Sequence, residues 1–385
     1  MTRKVKNIVY LVLSSGISYG GITSYCNMYY DEFGADVNFY FIYFDADYSK
    51  GLRNTISFKD DKRIKDLFDH VLSPENTIII STRVGQFNQF FRSYPAISVK
   101  YPVIVEHHAN MLDYINESKW LTGHFLPEHS RMNAINAVKV FTKTEAFEVR
   151  KYFTGKVLSI PNPSLSNVEQ FQYNPNKVVF VARLEESEKN LTMLTRVAKK
   201  LKIKNENIEI HIYGDGPDRK IVEQIADIAF LHGRIDNKDE IYKDACVVIS
   251  TSNREGFGLT ILEGAAYGVP AVSTKHSPAV NELITHGENG YLFDVNQDDE
   301  FVDAINELCI NEFLRDSFSK HAVLTSLRYK KEIVMGNYIK EMEACIEENM
   351  ALDRAKSMEL TLNYFAKCYT YKLEENESLK RKMKV

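Results

Sequence analysis

The feature that most limits how this chain can fold is a series of short apolar runs, most of them without polar alternation. In the first half these are Asn7-Ile-Val-Tyr-Leu-Val-Leu13, Val37 to Phe44, Thr77-Ile-Ile-Ile-Ser81, Pro102-Val-Ile-Val-Glu106, Val138-Lys-Val-Phe-Thr142 and Val157-Leu-Ser-Ile160. In the second half the pattern returns in Lys177-Val-Val-Phe-Val-Ala-Arg183, Ile208 to Tyr213, Ala245-Cys-Val-Val-Ile-Ser250 and Pro270-Ala-Val-Ser-Thr274. Such runs suit parallel strands covered on both faces by helices. Helix-periodic segments separate them, among them Thr23 to Phe33, Glu145 to Phe153, Leu191 to Leu201 and Leu259 to Tyr267. Strand, loop, helix, strand is the βαβ unit, so the expectation is an α/β fold with doubly wound parallel sheets. A chain of 385 residues exceeds one ordinary domain. The polar, irregular stretch after Pro161-Asn-Pro163 is a natural joint. The expected organisation is a Rossmann-like domain over 1–163, a second over 164–335, and helices with a tail over 336–385.

Composition excludes several classes. The net charge of −4 leaves no nucleic-acid footprint. The five cysteines are widely spaced and form no metal-like pair, as expected for reduced thiols in the cytoplasm. The apolar run near the N-terminus is short and leads into glycines rather than a cleavage site, so it does not read as a signal peptide. No apolar run reaches the length of a membrane span.

The chemistry concentrates in Asn253-Arg-Glu-Gly-Phe-Gly-Leu-Thr-Ile-Leu-Glu263, which follows an apolar strand and opens a helix stopped by Gly268-Val-Pro270. Glycines at a helix start allow close ligand approach, and the unbonded amides of the first turn attract anions. With Glu255 and Glu263 flanking that turn, the stretch offers a phosphate cradle and carboxylates for hydroxyl groups. A sugar nucleotide needs both.

Glu255-x7-Glu263, within E-G-F-G-L-T-I-L-E-G-A-A-Y-G-V-P, resembles the signature of the retaining glycosyltransferases of family 4, which have the GT-B fold. The resemblance covers roughly residues 5 to 340. It implies two Rossmann-like domains facing a cleft, a nucleotide diphosphate sugar as donor (UDP-sugars favoured), and transfer of a hexosyl unit to an acceptor hydroxyl with retention and without a metal. In that family an Arg-Leu…Lys pair neutralises the donor diphosphate, which matches Arg183 and Lys189, although Ala182 replaces a common glycine and the spacing is one residue longer. The resemblance gives Glu255 and the Gly256, Phe257 and Gly258 backbone to sugar hydroxyls, Leu259 and Thr260 to the phosphate, and Glu263 to the ribose. Gly20 and Gly21 match the paired glycines beside the diphosphate. Gly214 belongs to the matching Y-G-D-G-P loop. Gly233, Arg234 and Ile235 lie in the segment that meets the nucleobase. His107 and His108 stand at a strand's carboxyl end, and the His-Ala-Asn110 pattern favours His108 as the histidine that meets the sugar.

Other readings accompany these. Asp45-Ala-Asp47 forms a D-x-D that would hold a cation in the other large glycosyltransferase fold, but that reading leaves the Glu255 region unexplained. Phe87, Phe90 and Phe91, followed by basic residues, form either a face for a membrane surface or core packing. The segment 351–385 is helix-periodic and ends in Lys380-Arg-Lys-Met-Lys384; oligomerisation, contact with a partner enzyme, a membrane foot and packing on the chain itself all stay open. The expected partners are the donor and a glycan, lipid-linked or polymer acceptor, at the inner face of the cytoplasmic membrane or in the cytoplasm. A sugar-nucleotide epimerase and a non-catalytic partner subunit are the alternative functions.

Overall fold

A computed structural model of the protein describes residues 4–12, 33, 36–44, 54–106, 108, 111, 135–153, 155–164 and 173–351. The chain divides into two compact units, Met1–Ser159 with Asn337–Val385, and Ile160–Gly336.

In the first unit the described strands are β1 (Asn7–Val12), β2 (Asn38–Tyr43), β3 (Thr55–Ser57), β4 (Thr77–Ser81), β5 (Val103–Glu106), β6 (Ala137–Val140) and β7 (Lys156–Ser159). They form a parallel sheet in the order β3-β2-β1-β4-β5-β6-β7. The apolar runs form its centre because every residue of β1, β4, β5 and β6 is buried, as strands covered on both faces require. The helix Val84–Ser93 carries Phe87, Phe90 and Phe91, which are at most 1% exposed and join the core beneath the sheet. Of the two readings of these aromatics, core packing is the one the structure bears out, and the membrane-face reading falls. Each repeats at helical spacing on the inward stripe, and burying such a ring is worth about 1.5–3 kcal/mol.

The second unit repeats the plan with β8 (Lys177–Val181), β9 (Glu209–Tyr213), β10 (Ala229–Gly233), β11 (Val247–Ser250), β12 (Ala271–Thr274) and β13 (Gly290–Phe293). These strands run parallel in the order β10-β9-β8-β11-β12-β13. The helices Leu191–Lys204 and Asp298–Ile310 bury their apolar sides in this unit's core. The expected fold class, a pair of doubly wound parallel α/β sheets with further helices at the C-terminal end, is what the chain adopts. Strands β3, β10 and β13 were not expected as strands. The first is three residues long, and β10 lies at the sheet edge with exposed Phe230 and His232. The helix Lys331–Ala351 starts in the second unit and continues in the first. No helix among the described residues is long and apolar enough to cross a membrane.

Candidate active site

Open parallel sheets bind ligands beyond the carboxyl ends of their strands, where the strand order reverses. In the second unit that reversal falls between β8 and β11. The chain leaving β8 carries Arg183 and the short helix Glu186–Lys189; the chain leaving β11 carries Thr251 to Gly258 into the helix Leu259–Ala266. Hydrogen bonds stitch these loops together. Thr251 Oγ1 donates to the Lys189 carbonyl at 2.9 Å, the Asn253 amide donates to the Glu188 carbonyl at 2.8 Å, and Thr274 Oγ1 donates to the Ser252 carbonyl at 2.6 Å.

The result brings Lys189 and Glu255, 66 residues apart, into contact: Lys189 Nζ donates to Glu255 Oε1 at 2.5 Å. Ser252 Oγ donates to the same oxygen at 3.3 Å, while Oε2 is bound by neither. The pair is largely covered, with side-chain exposures of 11% for Lys189 and 22% for Glu255. Burial pushes the Glu255 carboxyl up, but the Lys189 charge, then nearby His276, then the hydrogen bonds from Lys189 and Ser252, outweigh it and hold the group below the usual carboxylate range. Glu255 is therefore an anion at neutral pH.

Gly258 precedes the helix with φ +89°, a conformation open to glycine, and no side chain caps the first helical turn. The half-buried Leu259 and Thr260 begin that turn, so the site presents the positive end of a helix dipole directly beside the Glu255 loop. Arg183 is 65% exposed and lies 3.1 Å from Glu185 Oε2, an ion pair loose enough to exchange for an incoming anion. Gly214 supports this arrangement: at φ +137° its loop runs so close to Ala182 that a Cβ would sit 1.8 Å from the Ala182 carbonyl oxygen. The Gly214 amide also donates to the Gly233 carbonyl at 2.7 Å, joining the loops after β9 and β10.

The remaining expected residues fall into different settings. Gly256 is half-buried, whereas the Phe257 side chain is 2% exposed and packs edge-to-face on Tyr329 at 5.6 Å, so only its backbone faces the role assigned to it. Arg234 is exposed and pairs with Asp236 at 2.9 Å, and Ile235 is half-buried beside it. Glu263 lies within the helix Leu259–Ala266, eight residues after Glu255; its Oε2 accepts from Lys238 Nζ at 2.8 Å and from Tyr242 Oη at 2.9 Å. Burial and the neighbouring Glu263 charge push the Tyr242 hydroxyl well above its ordinary value, so it remains a donor. Sequence reasoning missed Lys238 and Tyr242, whose short helix carries no motif.

In the first unit His108 follows β5 and is 9% exposed in its side chain. Its Nε2 lies 3.1 Å from Glu106 Oε2, and Tyr338 Oη donates to Glu106 Oε1 at 2.5 Å. Burial pushes the Glu106 carboxyl up, but Lys139, His108 and Tyr338 bring it below the usual range. Burial likewise pushes the His108 imidazole down, only partly offset by Glu106. Lys139, 1% exposed, also sits over the Phe141 ring at 5.0 Å and the Tyr338 ring at 5.6 Å.

Gly20, Gly21, Asp45, Asp47, His107, Asn110 and the tail from residue 352 lie outside the described residues. Among the described residues, no group of three or more His, Cys, Asp or Glu could hold a metal ion.

Residues 162–324 match the family model "Glycosyl transferases group 1". The chain is 25% identical over 315 residues to the poly(glycerol-phosphate) alpha-glucosyltransferase of Bacillus subtilis (strain 168), covering 77% of this chain and 46% of that protein. It is 27% identical over 275 residues to the poly(ribitol-phosphate) alpha-N-acetylglucosaminyltransferase of Staphylococcus aureus (strain COL), covering 68% and 52%. The chain thus spans about half the length of these curated relatives. In fold it is similar to the pneumococcal O-GlcNAc transferase GtfA, solved with UDP and GlcNAc, at a TM-score of 0.70, with 14% identity and coverage of 89% of this chain and 99% of that one.

Proposed function

We propose that this chain, whose residues 162–324 match the glycosyl transferases group 1 model, transfers a hexosyl unit from a UDP-sugar to a hydroxyl of a glycan or polyol-phosphate polymer, with retention at the anomeric carbon. The observation that carries this reading is the contact between Lys189 and Glu255 beside an uncapped helix end, at the point where the strand order of the second sheet reverses. A diphosphate needs fixed positive groups, and a sugar needs a carboxylate within reach of them. Here both sit in one set of loops. The acceptor and donor classes draw further support from the polyol-phosphate relatives and from the UDP held by GtfA.

In this reading Arg183, Lys189 and the Leu259 and Thr260 amides neutralise the charge that develops on the leaving β-phosphate. Glu255 Oε2 accepts from a sugar hydroxyl, with Gly256 and Gly258 allowing close approach. Glu263, held through Oε2 by Lys238 and Tyr242, keeps Oε1 for the ribose. Gly214, Gly233, Arg234 and Ile235 border the base. The bond from the anomeric carbon to the β-phosphate oxygen breaks, a bond to the acceptor oxygen forms, and the leaving phosphate takes the acceptor proton. In the first unit His108, oriented by Glu106, is proposed to meet a sugar hydroxyl.

The test is UDP release from a panel of UDP-, GDP- and ADP-sugars, with and without poly(glycerol phosphate) or a glycan acceptor. Acceptor-dependent release with a UDP-sugar is expected. Donor conversion without any acceptor identifies an epimerase instead, and no turnover with any donor rejects the enzyme reading.

A further inference from the structure

His276 emerges from β12 one residue before Ser277, whose side chain accepts from the Val280 amide at 3.4 Å and opens the helix Pro278–Leu283. The residue is 8% exposed, and among the described residues neither ring nitrogen has a hydrogen-bond partner. A buried polar group without a partner is unfavourable, so such groups are rare and call for an explanation. Both nitrogens are shielded from solvent, which leaves the protein's own side chains as the nearest candidates for a partner. The charged groups acting on the imidazole are Glu255 and Lys189, the two members of the buried ion pair.

That pair contains a difficulty which His276 resolves. Without donor, the cation assigned to the diphosphate and the carboxylate assigned to the sugar neutralise each other at 2.5 Å. When a diphosphate draws Lys189 away, Glu255 keeps, among the described residues, only Ser252 Oγ on Oε1 in a largely covered position. An isolated buried carboxylate resists losing its counter-charge, so donor binding would be opposed unless another donor group lay beside it. We propose that His276 is a positioning residue for Glu255: its imidazole N–H takes over the carboxylate when the donor's diphosphate engages Lys189, and holds Glu255 in the orientation that meets the sugar. Burial keeps the ring neutral, with its pKa pushed down to about 4, and a neutral imidazole still has one N–H to donate. The exchange requires no proton from solvent. It also explains why the Glu255 loop is tied to the end of β12 by the bond from Thr274 Oγ1 to the Ser252 carbonyl at 2.6 Å, which keeps the carboxylate and the imidazole on neighbouring loops.

This inference rests on the proposed donor site, and its test separates the two. The full chain, with ring-15N-labelled histidine, is titrated with UDP, then with GDP and ADP, and binding is followed independently by thermal shift. The His276 resonances are assigned by their loss in His276→Gln. The expected result is that saturation with the tightest diphosphate moves the His276 N–H proton downfield and slows its exchange, and that Glu255→Ala abolishes both changes. His276→Ala should weaken diphosphate binding about tenfold, as for a lost hydrogen bond to a charged group, while His276→Gln, which retains an N–H, should recover most of it. A histidine whose only role is packing would give equal losses in both variants and no ring signal. Binding by thermal shift with unchanged His276 resonances overturns the positioning role alone. Failure of every nucleoside diphosphate to bind overturns the donor site, and this inference with it.

Discussion

Both units place a charged cluster at the carboxyl end of a parallel strand, yet the clusters are built to opposite specifications. In the first unit Glu106 is 1% exposed, and its oxygens are taken by Tyr338 and His108 with Lys139 alongside. In the second unit Glu255 is 22% exposed, one oxygen is doubly bound, and Arg183, on the loop after β8, is 65% exposed. The first network is closed and the second is open. A closed network stabilises the fold and fixes one orientation of His108. An open one spends less on the resting structure and retains groups that a ligand can recruit. Strand position alone therefore does not distinguish the two clusters; the completeness of their hydrogen bonding does.

The comparison breaks first, and by the largest effect, at Glu106. Glu106→Ala leaves Lys139 buried without the carboxylate that offsets its charge, and a destabilisation of about 3–5 kcal/mol is expected in denaturant melts. Glu255→Ala should act the other way round. It should lower transfer activity by about 10²–10³-fold, as for loss of a group that stabilises the transition state, with a smaller change in stability because Glu255 is 22% exposed against 1% for Glu106. If Glu255→Ala proves as destabilising as Glu106→Ala while activity persists, the open cluster is structural too.

The pH dependence of stability sharpens the same contrast. The imidazoles of His276 and His108 both have folded values below the ordinary 6.5. In that case the unfolded chain binds more protons, so their contribution is fully present above about pH 6.5 and is lost as pH falls toward the folded value, about 4 for His276. The carboxyls of Glu106 and Glu255 are shifted down and add their own loss only at lower pH, as each is protonated in the folded state. The His276 contribution is on the order of 3 kcal/mol across the window. Melting temperatures measured from pH 7 to pH 4 should fall, and His276→Gln and His108→Gln should each flatten the curve.

Much of this architecture was legible from sequence, for definite reasons. Apolar runs such as Thr77–Ser81 and Val247–Ser250 announce their strands because both faces are buried. The Glu255 loop was legible because its glycines and spaced glutamates occur together. What escaped were facts that exist only after folding. The contact between Lys189 and Glu255 spans 66 residues, and no local pattern encodes it. Phe87, Phe90 and Phe91 left a surface face and core packing both open because basic residues flank them, and only the folded chain shows that they enter the core. His276, in Lys275-His276-Ser277-Pro278, reads as an ordinary turn; its only signal is its place after a buried strand, next to the loop that the glutamate motif marks.

The smallest expected effect is also the most discriminating between a closed network and an open one. Tyr338 lies on the helix Lys331–Ala351, far along the chain from Glu106, and its hydroxyl donates to Glu106 Oε1 at 2.5 Å. Tyr338→Phe removes that donor and little else, since the ring, itself fully buried, keeps its packing and its contact with Lys139. A hydrogen bond to a charged acceptor contributes about 1.5–3 kcal/mol, so a stability loss in that range is expected, with Glu106 still ionised by Lys139 and His108. Because His108 shares the carboxylate, the loss of one donor should strengthen the other bond and raise the His108 pKa, which a histidine-resolved NMR titration can read. An unchanged His108 titration would mean that the Glu106 oxygens act independently, and that the first unit's cluster is a set of separate contacts rather than one network.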